Sequence, residues 1–171
     1  DVEPGKVDAL LAAVEPLGLT ANPSPFRRST MACTGIEYCK LAIVETKAAA
    51  AGLIGELERR LGSLDTAISI NINGCPNACA RTQVADIGLK GQLVRAADGQ
   101  LVEGFQIHLG GGLALSAGDR SGFGRKVRGL RTTATELPGY VERVVRRYLD
   151  DRSGDEPFAQ WVVRAPEEAL R

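Results

Sequence analysis

The 171 residues suffice for one domain with a substantial core and a small appendage. Hydrophobic residues make up 44% and charged residues 25%, ordinary values for a globular chain, and 21 basic side chains balance 21 acidic ones, so a nucleic-acid partner is not expected. The two longest runs without Asp, Glu, Lys or Arg, Thr66–Ala80 and Gly104–Gly118, are too short and polar to span a bilayer, and no signal peptide is evident.

From the N-terminus, Pro4–Glu15 reads as an amphipathic helix, with Val7, Leu10, Leu11 and Val14 at helical spacing and Pro16 and Gly18 as its stop. The turn formers Ala21-Asn22-Pro23-Ser24-Pro25 mark a soft boundary, with the main domain starting near Phe26. Phe26–Met31 reads as a short strand and Leu41–Leu61, ended by Gly62, as the strongest helix. Ala67–Ile72 alternates like a strand with Ile68, Ile70 and Ile72 on one face. Val84–Val94 and Leu101–Leu109 are two more strands around the turn Asp98-Gly99. Gly110–Gly129 holds seven of the 20 glycines and reads as loop. Its glycines match no phosphate-loop spacing. Thr133 and Glu136 form a capping box for a helix through Leu149, and Asp155 caps a last short helix through Trp161. Strands and helices mix without strict alternation: the fold class is α+β, a mixed β-sheet with helices packed on it.

The four cysteines fall in two pairs, Cys33 with Cys39 and Cys75 with Cys79. Disulfides require an oxidising compartment that nothing here indicates. Unrelated core cysteines would not cluster among Gly, Pro and Asn. A structural zinc site on the same four residues is a module of a different class, although its knuckles are usually tighter than C-x5-C. The single histidine, His108, lies inside a strand pattern. An iron–sulfur cluster is the remaining reading. Gly74–Cys79 reads as a first helical turn with Cys75 and Cys79 on one face, and Cys39 sits just before the helix at Leu41. Both pairs would then lie at helix N-termini, where the dipole favours thiolates. On spacing alone zinc and iron–sulfur are close to equal, and this local chemistry tips the balance toward iron–sulfur.

Met31-Ala32-Cys33-Thr34-Gly35-Ile36-Glu37-Tyr38-Cys39-Lys40 and Asn71-Ile72-Asn73-Gly74-Cys75-Pro76-Asn77-Ala78-Cys79-Ala80 resemble the two cluster motifs of the sirohaem-dependent sulfite and nitrite reductase family. The resemblance implies a [4Fe-4S] cluster on Cys33, Cys39, Cys75 and Cys79, and sirohaem whose iron takes Cys79 as axial thiolate. It also implies six-electron reduction of sulfite to sulfide or nitrite to ammonia, with the bacterial ferredoxin-dependent sulfite type favoured. Arg81 and Asn77 are candidate sirohaem contacts, with Arg27, Arg28 and Lys40 further basic residues beside the motifs. Asn77 capping its own turn is the blander alternative. Arg143, Arg146 and Arg147 read as a solvated helix face, with ferredoxin docking the minority reading. By this resemblance the chain is the C-terminal third of a cytoplasmic enzyme, with residues 1–25 the tail of a preceding ferredoxin-like domain plus linker and 26–171 the cofactor domain. The only methionine, Met31, agrees with a fragment, which alone should not turn over substrate. The partners implied are sulfite or nitrite, ferredoxin as electron donor, and the missing N-terminal half, with no nucleic acid and no membrane.

Overall fold

The computed structural model describes residues 1–62, 64–114 and 121–171. Helix α1 (Val7–Val14) is flanked by 3-10 turns at Pro4–Lys6 and Glu15–Leu17 and buries no residue. The chain continues through α2 (Pro25–Ser29), β1 (Thr30–Ala32), α3 (Lys47–Leu61), β2 (Ile70–Asn73), β3 (Ile87–Arg95), β4 (Leu101–Leu109), β5 (Arg131–Thr133), α4 (Leu137–Asp151) and α5 (Phe158–Arg164). The five strands form one sheet in the order β1-β2-β3-β4-β5. The first three are parallel, and β3, β4 and β5 pair antiparallel. This is the expected α+β mixed sheet.

Strand alternation sorts the two faces. Ile70, Ile72, Ile87, Leu89, Phe105 and Ile107 are fully buried and share one core with Leu53 and Leu57 of α3, Val141, Val144 and Val145 of α4, and Trp161 of α5. Tyr148, Phe158 and Trp161 pack with ring centroids 5.2 to 5.7 Å apart. The other face carries Asn71, Asn73, Gly88, Lys90, Gln106 and His108, adjacent through the register Asn71↔Gly88↔His108 and Asn73↔Lys90↔Gln106.

Several local expectations change. Phe26–Met31 is not one strand: Ser24 caps α2 by accepting the Arg27 N–H at 3.0 Å, and Pro25 opens the helix. A Ser-Pro start signal outweighs the β preference of the residues behind it. The long helix begins at Lys47, not Leu41. The Ile43 and Val44 N–H groups are drawn to the Gly74 carbonyl at 2.7 and 3.4 Å, and Glu45 accepts the Lys47 and Ala48 N–H groups at 2.7 and 3.1 Å. A tertiary partner thus ends the helix that propensity would extend. Strand β3 starts three residues late, behind a 3-10 turn at Thr82–Val84. Asp155 caps nothing. Helix α5 starts behind Pro157, and Glu156 takes the Ser153 N–H at 3.1 Å and the Arg164 guanidinium at 2.7 and 2.8 Å. The capping box does form, Glu136 N–H to Thr133 Oγ1 at 3.2 Å, one turn ahead of α4. Within the glycine-rich segment, Gly112 and Gly122 exchange two backbone hydrogen bonds at 3.0 Å, while the expected loop at 115–120 lies outside the described residues.

Candidate functional site

Cys33 follows β1 and Cys75 follows β2 by two residues, so neighbouring parallel strands deliver both to the same end of the sheet. The Cys33 N–H extends the ladder to the Ile72 carbonyl at 2.9 Å, and the Gly74 N–H donates to the Cys33 sulfur at 3.2 Å. Thr46 Oγ1 donates to the Cys33 carbonyl at 2.7 Å. Cys39 sits in a turn closed by its N–H on the Gly35 carbonyl at 3.0 Å, with Gly35 at φ 78°. A side chain there would meet the Thr46 hydroxyl at 2.6 Å. The segment after Cys39 docks through Ile43 N–H on the Gly74 carbonyl, which brings the first cysteine loop onto the second.

Cys75 and Cys79 do not share a helix face. Gly74–Ala80 is a tight loop with Ala78 at φ 57°, and Arg81 follows at φ 54°. Arg81 N–H closes on the Ala78 carbonyl at 2.8 Å, and Ala80 N–H on Asn73 Oδ1 at 2.8 Å. The crossover returns over the polar face so closely that a Cβ on Gly88 would lie 1.8 Å from the Thr82 carbonyl oxygen. No room is left there for the expected helical turn. Left-handed backbone at non-glycine residues costs energy and concentrates at functional sites; here it flanks Cys79 on both sides. The helix-dipole argument for the thiolates therefore gives way to individual N–H donors, of which Gly74 is the clearest.

All four thiols are free. Cys75 is buried, Cys33 and Cys39 are half-buried and Cys79 is exposed. Among the described residues, no three His, Cys, Asp or Glu side chains converge closely enough to hold a single metal ion. A [4Fe-4S] cluster is held by four cysteine thiolates. Two cysteine loops meeting at one sheet end, a backbone N–H already aimed at a sulfur, and a buried amide nitrogen of Asn73 without a partner fit such a group.

The basic candidates separate. Arg27 is committed to Glu58 at 2.7 Å, a contact that holds the carboxyl below its ordinary range. Arg28, Lys40 and Arg81 are exposed, and Arg81 reaches along β1 to the Met31 sulfur at 3.7 Å. Arg28 and Arg81 line a cleft of about 420 Å³ on the polar face, with Asn71 and Asp86 inside it. Asp86 accepts the Ser69 N–H and Oγ–H at 2.9 and 2.7 Å, and burial pushes its carboxyl up despite those bonds. Asn77 is exposed and hydrogen-bonds to no described residue, so it does not cap its turn. His108 stands apart from the cysteines, and burial followed by Lys90 and Lys126 lowers its pKa. On α4, Arg146 is tied to Glu142 at 2.9 Å and Arg143 to the Arg171 carbonyl at 3.0 Å. Sequence reasoning passed over Asn73 and Gly74 as parts of the site. Their position directly before Cys75, at the end of a strand that alternates Ile and Asn, was the available signal.

Residues 24–171 match the family described as the nitrite and sulphite reductase 4Fe-4S domain. The chain is 54% identical over its whole length to "Sulfite reductase [ferredoxin] 1" of Mycolicibacterium paratuberculosis, covering 31% of that protein. It is 52% identical to "Sulfite reductase [ferredoxin]" of Mycobacterium tuberculosis H37Rv, again covering 31%. An "Assimilatory ferredoxin-dependent nitrite reductase" of Haloferax mediterranei is 38% identical over 95% of the chain. The solved structure of the Mycobacterium tuberculosis NirA protein superposes with a TM-score of 0.92 at 51% identity, over all of this chain and 31% of that one. The chain thus spans about a third of the relatives it matches, and no helix among its described residues is long and apolar enough to cross a membrane. With two cysteine loops joined at the end of a mixed sheet and a match over 24–171, the chain belongs to the nitrite and sulphite reductase 4Fe-4S domain family.

Proposed function

We propose that this chain is the cofactor-bearing C-terminal part of a ferredoxin-dependent assimilatory sulfite reductase. Cys33, Cys39, Cys75 and Cys79 are the ligands of its [4Fe-4S] cluster, and Cys79 is also the axial thiolate of a sirohaem. Identity carries sulfite over nitrite: 54% and 52% to proteins named sulfite reductase, against 38% to the haloarchaeal nitrite reductase. Nitrite reduction to ammonia in the same family is the second reading.

When bound, the coupled centres supply single electrons to the substrate, so that sulfite, six electrons and six protons give sulfide and three waters. The residues of this chain hold and orient. Cys79 suits the shared position because it is the exposed thiol of the four, presented on a loop held by Asn73 and by the Ala78–Arg81 turn. Cys75 suits a cluster-only role because it is buried. Arg81 and Arg28 bring positive charge to the cleft beside that loop, where the carboxylates of the macrocycle would be met, and exposed Asn77 is free to donate to it. The residues that bind sulfite belong to the remaining two thirds of the polypeptide. Ferredoxin is the proposed electron donor, residues 1–25 are the tail of a preceding ferredoxin-like domain, and the enzyme's setting is the cytoplasm.

The test uses the full-length polypeptide purified without oxygen. Iron and acid-labile sulfide of about four each plus sirohaem bands are expected, with kcat/KM under reduced ferredoxin higher for sulfite than for nitrite. The 171-residue chain alone is expected to be inactive. The reverse substrate preference would establish the second reading. A colourless zinc protein would sink both and leave the structural-metal module.

A further inference from the structure

Asn73 is the last residue of β2 and is completely buried. Its Oδ1 accepts the Ala80 N–H at 2.8 Å, so one side chain spans the base of the loop that carries Cys75 and Cys79. The amide orientation follows from that bond, since an N–H needs the oxygen as acceptor and leaves the NH2 group on the other side. That Nδ2 is buried and has no hydrogen-bond partner among the described residues. Buried polar groups without partners are rare and call for a cause. The ordinary remedy, a carbonyl or side-chain oxygen, is missing at a loop whose own chemistry is thiol. Anionic sulfur accepts N–H donors, and the Cys33 sulfur already accepts one from Gly74 at 3.2 Å.

We propose that Asn73 is a positioning residue for the second cysteine pair, and that its Nδ2 donates a hydrogen bond to an anionic sulfur of the cluster. The proposal rests on the [4Fe-4S] reading above. A donor to cluster sulfur favours the more negative, reduced state and raises the reduction potential. Asn73 thus both holds the loop and sets how readily the cluster takes an electron.

The full-length holoenzyme and its Asn73→Asp and Asn73→Leu variants decide this. Asn73→Asp keeps the acceptor for Ala80 and loses the donor. It is expected to retain iron and sulfide, and at a fixed poise its reduced-to-oxidised ratio falls about tenfold, equal to about 59 mV for one electron. Pulsed EPR of the reduced, 15N-asparagine-labelled wild type shows an exchangeable-proton coupling and a weak 15N coupling that both vanish in Asn73→Asp. Asn73→Leu loses the loop closure as well and purifies with less than half the iron. A potential shift with both couplings still present would mean that charge alone acted and would overturn the donor role. Full iron content in Asn73→Leu would overturn the positioning role. Wild type without iron and sulfide would instead bring down the cluster reading itself.

Discussion

The Gly74 N–H donates to the sulfur of Cys33 at 3.2 Å, linking the two cysteine motifs across adjacent parallel strands before any cofactor is considered. Gly74 is also the residue whose carbonyl receives the Ile43 N–H, so it fastens the first cysteine loop through both its N–H and its carbonyl. A Cβ at this position would stand 3.0 Å from both the Ala42 Cβ and the Val44 carbonyl oxygen. Gly74→Ala is therefore expected to lose about 1–3 kcal/mol through overpacking. Urea unfolding measures the loss, and cluster content of the full-length protein should drop with it.

Replacing each cysteine by serine separates the ligands. Cys33→Ser, Cys39→Ser and Cys75→Ser are expected to remove most iron and sulfide. Cys79→Ser should additionally abolish the coupling between the two centres seen by EPR or Mössbauer spectroscopy. Equal retention of cluster in all four variants would contradict the ligand set.

Arg81 offers a contrast between strain and function. Its φ of 54° is costly for a side-chain-bearing residue. Arg81→Gly is expected to leave stability unchanged or raise it by up to about 1 kcal/mol, and Arg81→Ala to bring no such gain. Sirohaem occupancy, read from the visible spectrum, should fall in both, because both lack the guanidinium.

Gly88→Ala tests the crossover. An added Cβ would lie 1.8 Å from the Thr82 carbonyl oxygen, a backbone atom that cannot step aside cheaply. The expected cost is at the upper end of overpacking, about 3 kcal/mol or more. Thermal unfolding and the yield of folded protein would report it; wild-type behaviour would mean that the 82–84 turn is not seated on the sheet.

His108 gives the pH dependence. Burial first, then Lys90 and Lys126, hold its pKa below the ordinary imidazole value of about 6.5. The unfolded chain therefore binds the proton more readily than the folded one. The contribution to stability is fully present above about pH 6.5 and is lost as pH falls through the lower, folded value. His108→Gln should flatten this acid limb in urea midpoints measured from pH 7.5 down to 5, while an unchanged limb would exclude His108 as its source.

Much of this molecule is legible from local pattern. The β4 bounds Leu101–Leu109, the buried stripe of Ile68, Ile70 and Ile72, the valines and Tyr148 of α4, and the Thr133–Glu136 box all come from period-2 or period-3.6 spacing and capping chemistry. These signals lie within a few residues of where they act. The two cysteine motifs are likewise local in sequence, and the family match over residues 24–171 spans both.

What the sequence alone determined is the residue content of the candidate site: four thiols in two short loops, each with one glycine beside or between its cysteines, in a chain whose basic and acidic side chains balance. Tertiary structure decided how those thiols are presented. Residues 41–46 have helical composition, but the Gly74 carbonyl, thirty residues away, takes their N–H groups first. Gly74–Ala80 looks like a helical start, but the Asn73 side chain and the return path over Gly88 close it into a loop instead. In both places a hydrogen bond from a neighbouring strand end outweighs a propensity of a few tenths of a kcal/mol per residue, and that competition is invisible until the strands are paired.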